Sequence, residues 1–362
     1  MPNGQYKNEN GANFADLPHS HFSYLEESGI FEYNWHQEKF NNFIGVNWLM
    51  QQEKRRNTAK EKGIGGIWAE LKRNGFLYGM TLPGIVLIFI FSYIPIAGLS
   101  MAFQRYSLKD GLGSEFIGFE NFRFLMNDSI RNGIVTALNN TLLLNVLFIA
   151  STTFISVVMA ISFSEIRMRR LSRIAQSISI LPYFLSWTVI ATILDMFINP
   201  TTGVLGTGLG NFYTSPDAWR PLLVFMRIWQ GAGYLSIVYL ATITGIDTQI
   251  LEAAEIDGAS RWRRIWGITL PILRPTIILM TLFSVGRIFN GDFGMIYALV
   301  GDKAVLYPTT DVIDTYVYRM MRQMQRYDIT TAIGLLQSIA GFIFVVGANK
   351  LAKKIEPESA IF

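Results

Sequence analysis

The residues able to do chemistry in this chain are few. Its three histidines, His19, His21 and His36, all precede the first apolar segment, and cysteine is absent. That set offers no thiolate chemistry, no disulfide framework and no histidine-based metal or catalytic centre. No Gly-x-x-x-x-Gly-Lys-Ser/Thr loop is present to cradle a nucleotide phosphate. Asp292-Phe293-Gly294 echoes a kinase magnesium motif, but it sits in an apolar segment without the catalytic loop that accompanies that motif. What remains is a set of polar and aromatic residues inside apolar stretches. Asn145 falls in one, Tyr183 in a second, Arg227, Trp229, Gln230 and Tyr234 in a third, and Ser284, Arg287 and Asn290 in a fourth. Their chemistry is hydrogen bonding, charge and ring stacking, not bond making.

The elements that must position these residues are membrane helices. Of 362 residues, 50% are hydrophobic and only 16% charged, with a mean hydropathy of +0.28. Soluble domains carry about 25% charge. A spanning helix needs about 20 mostly apolar residues, and six stretches qualify: 76–103, 139–163, 174–198, 221–246, 276–300 and 329–351. The third is expected to bend at Pro182. The chain therefore reads as all-α, with an N-terminal extension over 1–75, a membrane domain over 76–351 and a tail over 352–362. Residues 1–53 are polar but rich in aromatics, which suits either an interfacial segment, a surface packed on a partner, or a tail of little order. The first 40 residues lack the basic start and apolar run of a cleavable signal. The net charge of +4 is a poor footprint for nucleic acid, and no nucleic-acid partner is expected.

Orientation follows from lysine and arginine in the short loops. Lys54, Arg55 and Arg56 precede the first segment, Arg167, Arg169, Arg170 and Arg173 join the second to the third, Arg261, Arg263, Arg264 and Arg274 join the fourth to the fifth, and Lys350, Lys353 and Lys354 close the chain. All fall on one side. The opposite loops are balanced by carboxylates or nearly uncharged, so both termini are expected in the cytoplasm of a multi-pass cytoplasmic-membrane protein.

The loop between the fourth and fifth segments, within 247–275, is the most patterned stretch. It reads Glu252-Ala253-Ala254-Glu255-Ile256-Asp257-Gly258, then nine residues, then Ile268-Thr269-Leu270-Pro271. A short helix is expected first, with Glu252 and Glu255 in its first turn, where the helix dipole favours negative charge. Gly258 is expected to end it in the left-handed conformation. A second short helix over Trp262, Ile265 and Trp266 is expected to follow, with Pro271 and Pro275 at the entry to the next span.

This spacing resembles the signature loop of permease subunits of binding-protein-dependent ABC importers, matched at Glu252, Ala253, Ala254, Gly258, Ile268, Leu270 and Pro271. Further motifs are similar to the oligosaccharide branch: Tyr93-Ile94-Pro95, Gly118-Phe119-Glu120-Asn121-Phe122, Trp229 with Gly233, and Asp311 to Arg319. The resemblance runs from about Leu77 to the C-terminus.

It implies an importer subunit with no ATPase activity and no bound cofactor of its own, ATP and Mg being held by a separate subunit. The implied partners are two ATPase copies, a second and non-identical permease, an external sugar-binding protein and an oligosaccharide substrate, all in a lipid membrane. Glu252, Ala253, Ala254, Asp257, Gly258, Leu270 and Pro271 would couple the permease to the ATPase. Asp257 and Arg261, Arg263 and Arg264 would pair with the partner, or the arginines would merely obey the positive-inside rule.

The polar residues within the spans suit a water-filled path. Arg287 is expected midway along the fifth helix, sharing a face with Thr281, Ser284 and Gly291, and Arg227 heads a row with Gln230, Gly231 and Tyr234. Asn145 heads a third stripe; Trp229, Tyr183 or Tyr234 would stack on sugar rings. The competing reading is interhelical glue, with Asp195 and Arg227 as an alternative pair. Two other functions compete: a gradient-driven transporter, which requires inverted repeats and broken helices, and a membrane scaffold or sensor indifferent to Glu252.

Overall fold

The computed structural model describes residues 70, 72–205 and 212–355. Of the expected extension over 1–75 and tail over 352–362, residues 1–69, 71 and 356–362 therefore lie outside the described residues. The chain divides between Ile94 and Pro95 into two units.

The first unit carries helix α1, Gly75–Ile88, which passes through a π-type turn at Phe89–Tyr93. Pro83 lies inside α1. The 3₁₀ segment Ile94–Phe103 begins at the last residue of the first unit and continues into the second, which then holds α2 (Asp128–Glu165), α3 (Arg169–Ile180), α4 (Trp187–Ile198) and α5 (Pro216–Thr244). After these come α6 (Thr248–Ile256), α7 (Arg261–Arg264), α8 (Leu270–Val285), α9 (Phe293–Val300), α10 (Tyr307–Thr310), α11 (Ile313–Met324) and α12 (Tyr327–Ile355). Among the described residues there is no strand, only an isolated bridge between Gln104 and Phe116.

Among the described residues five stretches are long and apolar enough to cross a membrane: Gly75–Phe103, Ile130–Glu165, Pro216–Thr244, Arg261–Val285 and Tyr327–Lys354. The expected third span is a broken pair, Arg169–Phe184 and Trp187–Ile198, meeting at 98°. Pro182 sits in the 3₁₀ turn Leu181–Phe184 at that break, and the Ser186 side chain caps α4 by accepting from the Val189 N–H at 3.3 Å.

The fifth span departs from expectation. It begins at Arg261 and α8 stops at Val285, so 276–300 is not one helix. An irregular link, Gly286 to Asp292, precedes the short apolar α9. Arg287 is thus not midway along a helix but in this break.

Small residues let the helices close on one another. Ser156 Oγ donates to the Ala232 carbonyl at 3.1 Å, joining α2 to α5. Gly233 meets α3 so closely that a Cβ there would lie 1.9 Å from the Ser179 carbonyl oxygen. Buried Ala160, Tyr239, Leu240, Ile243 and Leu273 fill the end near the 252–275 loop, and Leu144, Ile190, Trp219, Leu223, Met295 and Leu306 fill the other.

Candidate functional site: a capped turn and a braced break

The loop from Asp247 to Thr269 is built by local chemistry. The Asp247 side chain accepts from the Gln249 N–H at 2.9 Å and starts α6. Glu252 is therefore mid-helix and Glu255 near its end, not in the first turn as expected. Gly258, at φ +77°, ends α6. The Ala259 N–H reaches back to the Ala254 carbonyl and the Gly258 N–H to that of Glu255, at 2.9 and 3.0 Å. This is the paired closure that a left-handed residue after a helix permits. The Ser260 side chain then caps α7, accepting from the Arg263 N–H at 3.4 Å.

The turn is cross-tied and leaves one side open. Arg264 pairs with Glu255 at 2.8 Å, and Arg261 approaches Glu165 at 4.0 Å. Glu252, Ala253 and Asp257 are exposed, and Ala254 half-buried. Ile256, Trp262 and Trp266 stand 87%, 72% and 68% exposed, so polar and large apolar side chains share this surface. A π-type turn, Ile265–Thr269, carries the chain into α8, with Leu270 and Pro271 its first two residues.

The second constellation surrounds the break after Val285. Free carbonyls and N–H groups at membrane depth need internal partners, and side chains from four other helices supply them. Asn145 of α2 donates to the Ile288 and Asn290 carbonyls at 2.8 and 2.9 Å. Gln337 of α12 donates to the Phe289 carbonyl at 2.7 Å. Asp314 of α11 accepts the Gly291 N–H at 2.5 Å. Arg227 of α5 pairs with Asp292 at 2.9 Å, while the other Asp292 oxygen caps α9 by accepting from the Met295 N–H at 3.0 Å. α11 lies outside the five spans; burial raises the Asp314 carboxyl above its usual range, opposed by the Gly291 N–H and Gln337.

The expected pairing of Arg227 with Asp195 is not formed. Asp195 instead accepts from Tyr213 and from Asn199, because α4 and the 3₁₀ turn Phe212–Thr214 bring those donors to it. Asn145 is committed to backbone carbonyls, which makes it a brace. Tyr183 and Tyr234, both expected to stack on a ligand, stack on each other with ring centres 4.4 Å apart. Tyr183, Tyr234 and Trp229 remain 41%, 46% and 39% exposed. Ser284, Arg287 and Asn290 are exposed, and no hydrogen bond joins Gln230, Trp229, Ser284 or Arg287 to another candidate side chain among the described residues. The expected grouping of Arg287 with Thr281 and Gly291 fails because α8 stops between them. Asp314 and Gln337 were not singled out from the sequence; a glutamine within an apolar span was the available signal.

Residues 152–356 match the model of the family described as binding-protein-dependent transport system inner membrane component. Protein LplB of Bacillus subtilis (strain 168) is 35% identical over 306 residues, covering 82% of this chain and 94% of that protein. The chain belongs to this transport family. The same organism's polygalacturonan/rhamnogalacturonan transport system permease protein YteP is 32% identical, covering 80% of the permease described here and 91% of YteP. A solved bacterial ABC transporter involved in import of the acidic polysaccharide alginate contains a chain that superposes with a TM-score of 0.72 at 34% identity, covering 80% of this permease and 99% of that chain. Permease and membrane location thus agree with the spans: this is an inner-membrane component of an ABC importer, and its relatives are permease subunits, not enzymes.

Proposed function

We propose that this permease moves oligosaccharides released from polysaccharides, and that α6 and α7 form the helical turn through which a separate ATPase drives it. The observation that carries this reading is the Gly258 closure, which presents exposed Glu252, Ala253, Asp257, Ile256 and Trp262 on one turn projecting from the fourth and fifth spans. Small alanines allow close approach in a cleft, Glu252 supplies a charge contact, and Leu270 and Pro271 fix how the turn enters α8. ATP and Mg belong to that ATPase, present in two copies. A second, non-identical permease completes the pathway, and a sugar-binding protein delivers substrate from the other side. Both termini and the 252–275 loop face the cytoplasm, a reading supported by the excess of lysine and arginine in the loops on that side.

Uptake of a labelled oligosaccharide by cells lacking this chain, restored with wild type or Glu252→Lys at equal membrane level, tests the reading. Uptake with wild type and its loss in the variant is expected. Equal uptake by both contradicts it.

A further inference from the structure

Two arginines lie near the break in the fifth span, and only one is neutralised. Arg227 gives its charge to Asp292. Arg287 is exposed, and among the described residues no carboxylate lies within ion-pair distance of it. Asp314, the other carboxylate at the break, is directed to the Gly291 N–H and Gln337.

Arg287 is also not needed to hold the break. Asn145 takes the Ile288 and Asn290 carbonyls, Gln337 that of Phe289, and Asp314 the Gly291 N–H. Arg287 lies two residues past α8, on the order of 25 Å along the helix from Leu270 at 1.5 Å per residue. That places it well above the basic loop and within the bilayer's thickness. An arginine at such depth is costly and generally faces a water-filled cavity or a partner.

The local backbone gives this arginine neighbours. The Arg287 N–H bonds to the Ser284 carbonyl at 3.0 Å and the Asn290 N–H to that of Arg287 at 2.9 Å. These are three-residue steps, which place side chains at i and i+3 in line. Ser284, Arg287 and Asn290 therefore form one exposed row: a guanidinium between a hydroxyl and an amide.

We infer that this row is an anion-selecting station of the transport path, where the Arg287 guanidinium engages the carboxylate of a uronic-acid residue and Ser284 and Asn290 meet its hydroxyls. The planar fork of arginine matches a carboxylate in two parallel hydrogen bonds, whereas a neutral sugar offers no countercharge to the guanidinium. The inference rests on the importer reading above and adds the charge of the cargo.

The test uses cells lacking the chain, restored with wild type, Arg287→Gln, Arg287→Lys or Glu252→Lys. The probes are labelled trigalacturonate and trimannuronate, each beside its neutral methyl ester. Wild type is expected to import at least one acid. Arg287→Gln should raise the ester-to-acid import ratio at least tenfold, and Arg287→Lys should keep most of the preference for the acid. The inference is overturned if wild type imports neither acid, if Arg287→Gln leaves the ratio unchanged, or if it lowers both forms together. Loss of the second permease from detergent extracts of Arg287→Gln also overturns it, since Arg287 would then be a subunit contact. Unchanged import in Glu252→Lys would instead remove the coupling role proposed for the α6–α7 turn and leave the inference about Arg287 standing.

Discussion

Arg227 and Asp292, 65 positions apart, meet at 2.9 Å and tie the fourth span to the break in the fifth. Asp292 does two things at once, since its other oxygen caps α9. The two roles separate by substitution. Asp292→Asn keeps a capping oxygen and loses the ion pair; Asp292→Ala loses both. Thermal unfolding in detergent should show Asp292→Asn destabilised by about 1.5–3 kcal/mol and Asp292→Ala by about 1 kcal/mol more. A charge swap, Arg227→Asp with Asp292→Arg, should restore the pair but not the cap. Equal unfolding of the Asn and Ala variants would remove the capping role.

Asn145 holds two carbonyls of the break with one side-chain amide. Asn145→Leu fits the volume but leaves both oxygens unpaired, at about 1–3 kcal/mol for each unsatisfied group. Asn145→Asp offers no donor when ionised and should be at least as damaging. Asn145→Gln should be milder. Protease sensitivity near Gly286 in membranes reads the opening directly, and resistance equal to wild type in Asn145→Leu would show that the break needs no brace.

Gly233 and Gly231 lie two residues apart in α5 and should respond oppositely. A Cβ at Gly233 would enter the Ser179 backbone at 1.9 Å, whereas one at Gly231 would rest 3.8 Å from Thr152 Cγ2 in ordinary contact. Gly233→Ala forces α3 and α5 apart and should cost at least about 1–3 kcal/mol, seen as reduced accumulation in the membrane. Gly231→Ala should accumulate as wild type does.

Much of this was legible in the sequence because it depends on local rules. Apolar length located the spans, Pro182 marked the broken third, and Gly258 marked a turn whose φ of +77° only glycine adopts readily. α6 starts earlier than the glutamates alone indicate, because the Asp247 side chain, five residues before Glu252, caps it by accepting from the Gln249 N–H. The break after Val285 was hidden for a different reason. Residues 286–292 are flanked on both sides by apolar residues, and what stabilises their irregular backbone comes from Asn145, Arg227, Asp314 and Gln337, up to 145 positions away. No local pattern reports such partners. The same distance turned Asn145 from a candidate for the path into a brace and gave Arg227 a different carboxylate from the one expected.

Co-purification of the ATPase with this chain from native membranes is the most direct test that the α6–α7 turn is the drive point. Wild type and Gly258→Val should be extracted side by side at matched membrane level. The bulky β-branched residue is strained at a positive φ, so it should distort the turn without touching the spans. The ATPase should come down with wild type and be lost with Gly258→Val, while the second permease is retained in both. Recovery of equal ATPase with the variant would contradict the assignment of this turn as the contact.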